Sequence, residues 1–158
     1  MTCTVGIISD THGLLRPEAL EALRGCDRIV HAGDIGAAQI LERLAQIAPI
    51  TAVRGNNDED DWAARLRSHE RLQVEGIRFH ILHELALLDI DPGAAGVDVV
   101  VSGHSHKPSL SWREGVCYLN PGSAGPRRFS LPIAIARVAV DSDAFEPHII
   151  ELPVRRTR

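Results

Sequence analysis

Side chains that commonly bind metal ions follow four short apolar segments of this chain. In chain order they are Asp10 and His12, Asp34, Asn56, and His104 with His106. Carboxylates, imidazoles and an amide oxygen, without a thiolate, suit Mn²⁺, Fe²⁺, Zn²⁺ or Ni²⁺ better than Ca²⁺ or a cysteine-bound structural zinc. One tetrahedral ion does not need so many ligands, whereas two ions about 3.5–4 Å apart that share a carboxylate would use them all. The residue types therefore predict a dinuclear metal site.

The four apolar segments are typical of buried β-strands, because each is short, rich in β-branched residues and bounded by turn signals. They span residues 3–9, 28–32, 50–53 and 97–102. The helical signals lie at residues 17–24, 37–48 and 59–66. If the four strands are parallel, their carboxyl ends meet at one edge of a sheet, which is where ligands bind in open α/β folds.

The second half of the chain carries antiparallel signals. Hairpins are predicted over 71–83, turning at Glu75–Gly76, and over 109–119, turning at Glu114–Gly115. Strands at 132–140 and 145–153 would form a closing pair. Segment 84–96 has no clear element, because Asp89 and Pro92 interrupt an apolar start. Early crossovers and late hairpins predict a mixed α/β sandwich, and we expect one domain over 1–158 because no repeat or linker divides it.

Composition excludes several classes of function. The chain has 17 basic and 21 acidic side chains, a formal net charge of −4, and 4% aromatic residues. It therefore has neither the basic surface nor the stacking platform that a nucleic-acid-binding module needs. No apolar run approaches the roughly 20 residues of a membrane span, and the N-terminal stretch does not resemble a signal peptide. With three scattered cysteines, we expect a reduced, cytoplasmic protein without a membrane role.

Each of these polar residues, taken alone, has a common structural explanation. An aspartate after a strand, such as Asp10 or Asp34, most often caps a helix or closes a turn. A buried histidine is most often hydrogen-bonded within a core, and we interpret His31 and His80 in that way. The simultaneous occurrence of such residues at four strand ends is what favours a metal site over these explanations.

The ordered motifs resemble those of the calcineurin-like metallophosphoesterases. They are Asp10-x-His12, Gly33-Asp34, Gly55-Asn56, His83 and Gly103-His104-x-His106, followed by Asn120-Pro-Gly-Ser123. The short chain is similar to the compact, YfcE-type phosphodiesterase branch of that family. The resemblance implies a four-layer α/β/β/α sandwich of two mixed β-sheets flanked by helices. It also implies that one ion is held by Asp10, His12 and His106, a second by Asn56, His83 and His104, and that Asp34 bridges both.

Two positions depart from the family pattern. Glu84 follows His83, where the family usually has glycine. Asn57 follows Asn56, where many members have a histidine that protonates the leaving oxygen, and an amide is no general acid at neutral pH. We expect Asn57 and His104 to act in catalysis by contacting the phosphoryl group. As an alternative, Asn57 and Asp58 would cap the predicted helix at 59–66.

The resemblance implies hydrolysis of a small phosphodiester by water activated by two divalent ions, without a covalent enzyme intermediate. Mn²⁺ is the expected metal, with Ni²⁺, Fe²⁺ or Zn²⁺ as alternatives. Asn57 and Arg127 are predicted to bind substrate, although Arg127 and Arg128 also fit an ordinary solvated pair. Two alternatives remain at this point. One is a non-catalytic interaction scaffold, as in the similar small subunit of retromer, and the other is a phosphomonoesterase or pyrophosphatase. A homo-oligomer is compatible with the compact branch.

Overall fold

A computed structural model describes residues 2–155 as two stacked five-stranded β-sheets. The strands are β1 (Thr2–Ile8), β2 (Arg28–His31), β3 (Ile50–Ala52), β4 (His69–Val74), β5 (Ile77–Leu82), β6 (Val99–Val101), β7 (Ser109–Arg113), β8 (Val116–Asn120), β9 (Ala134–Asp141) and β10 (Ala144–Glu151). The α-helices are α1 (Pro17–Ala22) and α2 (Ala38–Ala45), and short 3-10 helices span Asp61–Arg65 and Leu85–Leu87. The predicted sandwich of two mixed sheets is confirmed.

The first sheet has the strand order β10-β9-β1-β2-β3. Strands β1, β2 and β3 are parallel, because α1 and α2 provide the crossover connections between them. Strand β9 pairs antiparallel with β1, and β10 closes this edge as the predicted antiparallel partner of β9. Pro147 lies within β10, where an edge position tolerates the missing backbone donor.

The second sheet has the order β4-β5-β6-β8-β7. Both predicted hairpins are present, as β4 with β5 and β7 with β8. Their turns contain Glu75 and Glu114 at positive φ values of 53° and 49°. Strand β6 runs parallel to β5 and β8 and therefore lies inside this sheet. The four strands that carry the candidate ligands are thus divided between two sheets, with β1, β2 and β3 in one and β6 in the other.

The main core lies between the sheets, where Val5, Val30, Phe79 and Val101 are among its fully buried side chains. A second apolar cluster joins the outer face of the first sheet to α1 and α2. The outer face of the second sheet is covered more thinly. There, Val100 packs against segment 84–97, whose single 3-10 turn cannot extend because Asp89 and Pro92 follow it. The fourth layer of the sandwich is therefore mostly loop.

Most of the predicted elements differ from the structure by a few residues at their ends, and one differs in type. Helix α1 ends at Ala22, and the predicted acidic helix at 59–66 is a 3-10 helix over Asp61–Arg65. Strand β6 is shorter than the predicted segment 97–102. Among the helices that the structure describes, none is long and apolar enough to cross a membrane.

Candidate metal centre

The first group of candidate ligands joins the end of β1 to the loop after β6. The Nε2 atom of His106 lies 3.3 Å from Oδ1 of Asp10 and 3.2 Å from Nε2 of His12. The same oxygen of Asp10 lies 3.6 Å from Nε2 of His12. Asp10 and His106 are buried, whereas the side chain of His12 is 21% exposed. One cation could contact all three side chains.

The second group joins the ends of β2, β5 and β6. Nε2 of His83 lies 3.2 Å from Oδ2 of Asp34, and His104 completes a set that could hold one ion. Nδ1 of His104 lies 3.2 Å from Oδ1 of Asn56, which brings the predicted amide ligand to the same place. The side chain of His104 is 48% exposed, so this group opens to solvent on the His104 side.

Asp34 lies between the two groups. Its Oδ2 atom is 3.7 Å from Nε2 of His12 in the first group and 3.2 Å from Nε2 of His83 in the second. His83 also lies 3.9 Å from Oδ1 of Asp10. The two groups therefore adjoin, and Oδ2 of Asp34 lies within 3.7 Å of a histidine of each group.

The orientation of these side chains fits divalent cations. The Nδ1–H of His83 donates to the carbonyl oxygen of Ala32 over 2.7 Å, which leaves Nε2 free to face the centre, as in most histidine metal ligands. Nε2 of His83 and Oδ1 of Asp10 are buried and make no hydrogen bond within residues 2–155. Ligand atoms about 2.1 Å from an ion lie roughly 3.0–3.5 Å apart, close to the separations within both groups. The residues therefore fit the metal that the motifs imply.

The negative charge of this centre suits the binding of cations. Burial alone would raise the pKa of Asp10, but His106, His12 and Ser9 outweigh it and hold this pKa far below the ordinary value. Burial opposes ionisation of Asp34 as well, yet His83 and the backbone amide of Asn57 lower its pKa. Burial would lower the pKa of His83, whereas the adjacent Asp34 and Asp10 carboxylates raise it. Both carboxylates are thus anionic at neutral pH.

The backbone at this centre is unusual. Left-handed φ values occur at five of the candidate ligands: Asp10 (56°), His12 (46°), Asp34 (56°), His104 (73°) and His106 (62°). This region is sparsely populated by residues other than glycine, and such strain persists where the surrounding structure imposes it. The backbone therefore turns sharply after β1, β2 and β6, and these turns direct the side chains into the centre.

Comparisons with known proteins identify the family. The calcineurin-like phosphoesterase superfamily domain matches residues 3–143. The chain belongs to this superfamily. A probable metallophosphoesterase of Methanothermobacter thermautotrophicus is 33% identical over 161 residues, which cover 92% of this chain and 91% of the relative.

Two solved structures show the same fold as this chain. An archaeal phosphodiesterase superposes with a TM-score of 0.77 at 21% identity, covering 93% of this chain and 99% of that one. Vps29 of Chaetomium thermophilum superposes with a TM-score of 0.77 at 17% identity, covering 96% and 98% of the two chains. At these identities the superpositions establish the fold alone.

Several residues that sequence reasoning missed hold the candidate ligands in place. Ser9 Oγ donates to Oδ2 of Asp10 over 2.6 Å, and Ser123 Oγ donates to the carbonyl oxygen of Asp10 over 3.0 Å. Asn120 Nδ2 donates to the carbonyl oxygen of Gly103 over 2.9 Å, which fixes the start of the histidine loop. The Asn120-Pro-Gly-Ser123 motif was the available signal for two of these residues, whereas nothing in the sequence singles out Ser9.

Asn57 and Asp58 do not cap the 3-10 helix, which corrects the alternative given above. The N-cap residue of that helix is Asp60, without a side-chain capping bond. Asp58 instead accepts hydrogen bonds from the backbone amides of Ile35, Gly36 and Gly55. Asn57 donates its backbone amide to Oδ1 of Asp34 over 2.9 Å and its Nδ2 to Oδ2 of Asp34 over 3.0 Å. Asn57 therefore orients the shared carboxylate.

The two histidines predicted to be structural differ from one another. His31 is buried and hydrogen-bonded as predicted: Nδ1 accepts from the amide of Gly33, and Nε2–H donates to Thr11 Oγ1. Burial lowers the pKa of His31 to about 4, so the ring is neutral at physiological pH. His80 is also buried, but neither of its ring nitrogens has a hydrogen-bond partner within the described residues, and the prediction of a hydrogen-bonded histidine is wrong there.

The hydrogen-bond partners of Arg127 lie outside the two ligand groups. Its guanidinium donates to the carbonyl oxygens of Leu131 over 3.0 Å and Val154 over 3.1 Å. These bonds tie the loop after Ser123 to the segment that follows β10. Two of the five N–H donors of Arg127 are thus engaged by the backbone, and the substrate contact of Arg127 stays a prediction.

Gly55 provides a test of how closely the backbone packs around Asp34. A Cβ atom at Gly55 would overlap Oδ1 and the backbone nitrogen of Asp34. We expect Gly55→Ala to displace Asp34, to weaken Mn²⁺ binding at least about tenfold, and to lower stability by about 1–3 kcal/mol. Calorimetric titration and thermal melting measure the two effects. Gly93→Ala is the matched control, because its Cβ would meet only Oδ1 of Asp91 at 3.6 Å. Equal metal affinity in both variants would contradict this prediction.

Proposed function

We propose that this chain is a metal-dependent phosphodiesterase that uses two divalent ions. The observation that carries the proposal is the position of Asp34, whose Oδ2 atom faces His12 of one ligand group and His83 of the other. A single-ion structural site needs no such shared carboxylate. The superfamily consists of phosphoesterases, and the similar fold of an archaeal phosphodiesterase agrees with this activity.

The residues that would hold the ions are those of the two groups. Asp10, His12 and His106 would hold one ion, Asn56, His83 and His104 the other, and Asp34 both. When bound, two such ions lower the pKa of water and neutralise charge on the phosphoryl oxygens. We propose Mn²⁺ as the metal, because imidazole and carboxylate ligands without thiolate suit it.

Side chains of this protein orient the candidate ligands at this centre. Asn57 fixes both oxygens of Asp34, so in the proposed enzyme it keeps the shared carboxylate in its bridging orientation. His104 is the most exposed of the candidate histidine ligands, and a substrate phosphate approaching from solvent would meet it first. Its backbone amide donates to Oδ2 of Asp10 over 3.1 Å and thereby links the two groups.

The proposal is tested by hydrolysis of bis(p-nitrophenyl) phosphate. Chelator-stripped protein should be inactive, and added Mn²⁺ should restore turnover, with Ni²⁺, Fe²⁺ and Zn²⁺ tested in parallel. The same series with p-nitrophenyl phosphate distinguishes a diesterase from a monoesterase. Absence of turnover on either substrate, in protein that is folded and loaded with two ions, would overturn the proposal in favour of a scaffold role.

Metal binding should depend on pH through His83. Despite burial, the adjacent Asp34 and Asp10 carboxylates raise the pKa of His83 in the metal-free protein, so below that pKa an incoming ion must displace a proton from His83. The lowered pKa values of Asp10 and Asp34 keep these groups ionised over the same range. Affinity for Mn²⁺ should therefore fall as the pH drops through the pKa of His83, approaching about tenfold per pH unit.

Calorimetric titrations at about pH 6 and about pH 8 measure the affinity for Mn²⁺ at each pH. Repeating them in buffers of different ionisation enthalpy gives the number of protons that are released on binding. His148→Asn, which changes an exposed histidine, should release as many protons as the unaltered chain. Affinity that is independent of pH across this interval would contradict the prediction.

A further inference from the structure

Glu84 lies at the rim of the second ligand group and has no part in the assignments above. It directly follows His83 at the end of β5. Its Oε1 atom is 3.7 Å from Nδ1 of His104, and its side chain is 29% exposed. A partly solvated carboxylate thus stands beside the imidazole that a substrate would meet first.

Glu84 also lines two cavities that adjoin this ligand group. The smaller, of about 190 Å³, includes Asn56 and His83 and extends past His69 to the apolar Leu87. The larger, of about 370 Å³, includes His104 and extends over the outer face of β7 and β8. Its wall is polar, with side chains that include Ser109, Ser111, Tyr118 and Arg113. Candidate metal ligands therefore line each cavity, and Glu84 lines both.

This arrangement matches the shape of a phosphodiester. A diester has two organic substituents on phosphorus, and two cavities with different walls adjoin the ligand group and share Glu84. A monoester has one substituent and would leave one of the cavities without an occupant. Leu87 in the smaller cavity favours a substituent with an apolar part. Ser109 and Ser111 in the larger cavity favour a substituent that is rich in hydrogen-bonding groups.

The charge of Glu84 distinguishes the two kinds of ester as well. A phosphodiester carries one negative charge at neutral pH, whereas a phosphomonoester carries close to two. A carboxylate next to the bound phosphoryl group repels the second of these charges in addition to the first. A residue without a charged side chain at this position would provide no such discrimination.

We propose that Glu84 is a specificity-determining residue that favours phosphodiesters with two organic substituents over dianionic phosphomonoesters. The inference rests on the proposed phosphodiesterase function and names its substrate class. Glu84 acts through its charge and as the wall between the cavities, and it takes part in no bond that forms or breaks.

Glu84→Gln tests the charge while keeping the shape of the side chain. In Mn²⁺-loaded protein, the ratio of kcat/KM for bis(p-nitrophenyl) phosphate to that for p-nitrophenyl phosphate should fall about tenfold, because the monoester gains more. Glu146→Gln removes an equal charge from an exposed position on β10 and should leave the ratio unchanged. An unchanged ratio in Glu84→Gln would overturn the proposal.

A binding measurement separates this proposal from the proposed function. In Mn²⁺-loaded protein, Glu84→Gln should bind inorganic phosphate about tenfold more tightly, with a smaller change for dimethyl phosphate. If this difference appears in a chain that hydrolyses neither ester, the charge selection stands and the phosphodiesterase function fails. Loss of one Mn²⁺ from Glu84→Gln would overturn the proposal, since Glu84 would then be a metal ligand.

Discussion

Replacing Asp34 with asparagine is expected to lower hydrolysis of bis(p-nitrophenyl) phosphate at least about a thousandfold and to reduce metal content at the same time. Asp34 Oδ2 faces histidines of both ligand groups, so one substitution removes negative charge from two proposed ion sites. The asparagine would also have to turn its NH₂ group towards either Asn57 or the ions. Either orientation loses an interaction that the carboxylate makes.

Metal analysis, steady-state kinetics and thermal melting together measure this effect. Asp89→Asn is the matched control, because Asp89 is an exposed aspartate outside both ligand groups. It should retain both ions and full activity. An Asp34→Asn protein that keeps two ions and loses less than about tenfold in rate would rule out the bridging role.

The sequence pattern together with the family resemblance predicted the sandwich of two mixed sheets, and the pattern also predicted that the candidate ligands follow the ends of strands. Strand ends are recognisable because short apolar segments stop at glycine, aspartate or histidine, and those ends meet in space. The structure brings His12 to His106 and Asn56 to His104, although these pairs are distant in the chain. The assignment of β6 to a second sheet did not follow from the pattern, since an apolar strand has the same periodicity in either sheet.

The backbone conformations and hydrogen bonds that surround the candidate ligands could not be predicted from the sequence, for physical reasons. The left-handed φ values at Asp10 and His104 cannot be predicted from the pattern of apolar and polar residues. Residues other than glycine rarely adopt such values, and here the tertiary structure imposes them. Asp58 looks like a helix cap by type and position, yet it binds backbone amides of the Ile35 loop. The sequence also gives no sign that Arg127 donates to the backbone carbonyls of Leu131 and Val154, because these bonds join segments that are distant in the chain.

The substitution Asn57→His is expected to raise hydrolysis of diesters with poor leaving groups by up to about a hundredfold. An imidazole at this position would supply a general acid, which an amide cannot be at neutral pH. The variant gives up the bond from Asn57 Nδ2 to Asp34 Oδ2 but keeps the backbone bond to Oδ1, so both ions should remain bound. Diesters with a p-nitrophenyl leaving group, which departs without protonation, should gain little.

A series of aryl methyl phosphates with leaving groups of increasing pKa measures this effect as a shallower dependence of kcat/KM on leaving-group pKa. Asn57→Ala is the control, because it loses the same side-chain bond to Asp34 and adds no acid. The rate of Asn57→His should fall above the pKa of the new imidazole, whereas that of Asn57→Ala should show no such limb. If both variants follow one line across the series, protonation of the leaving group does not limit this enzyme, and Asn57 serves to orient Asp34 alone.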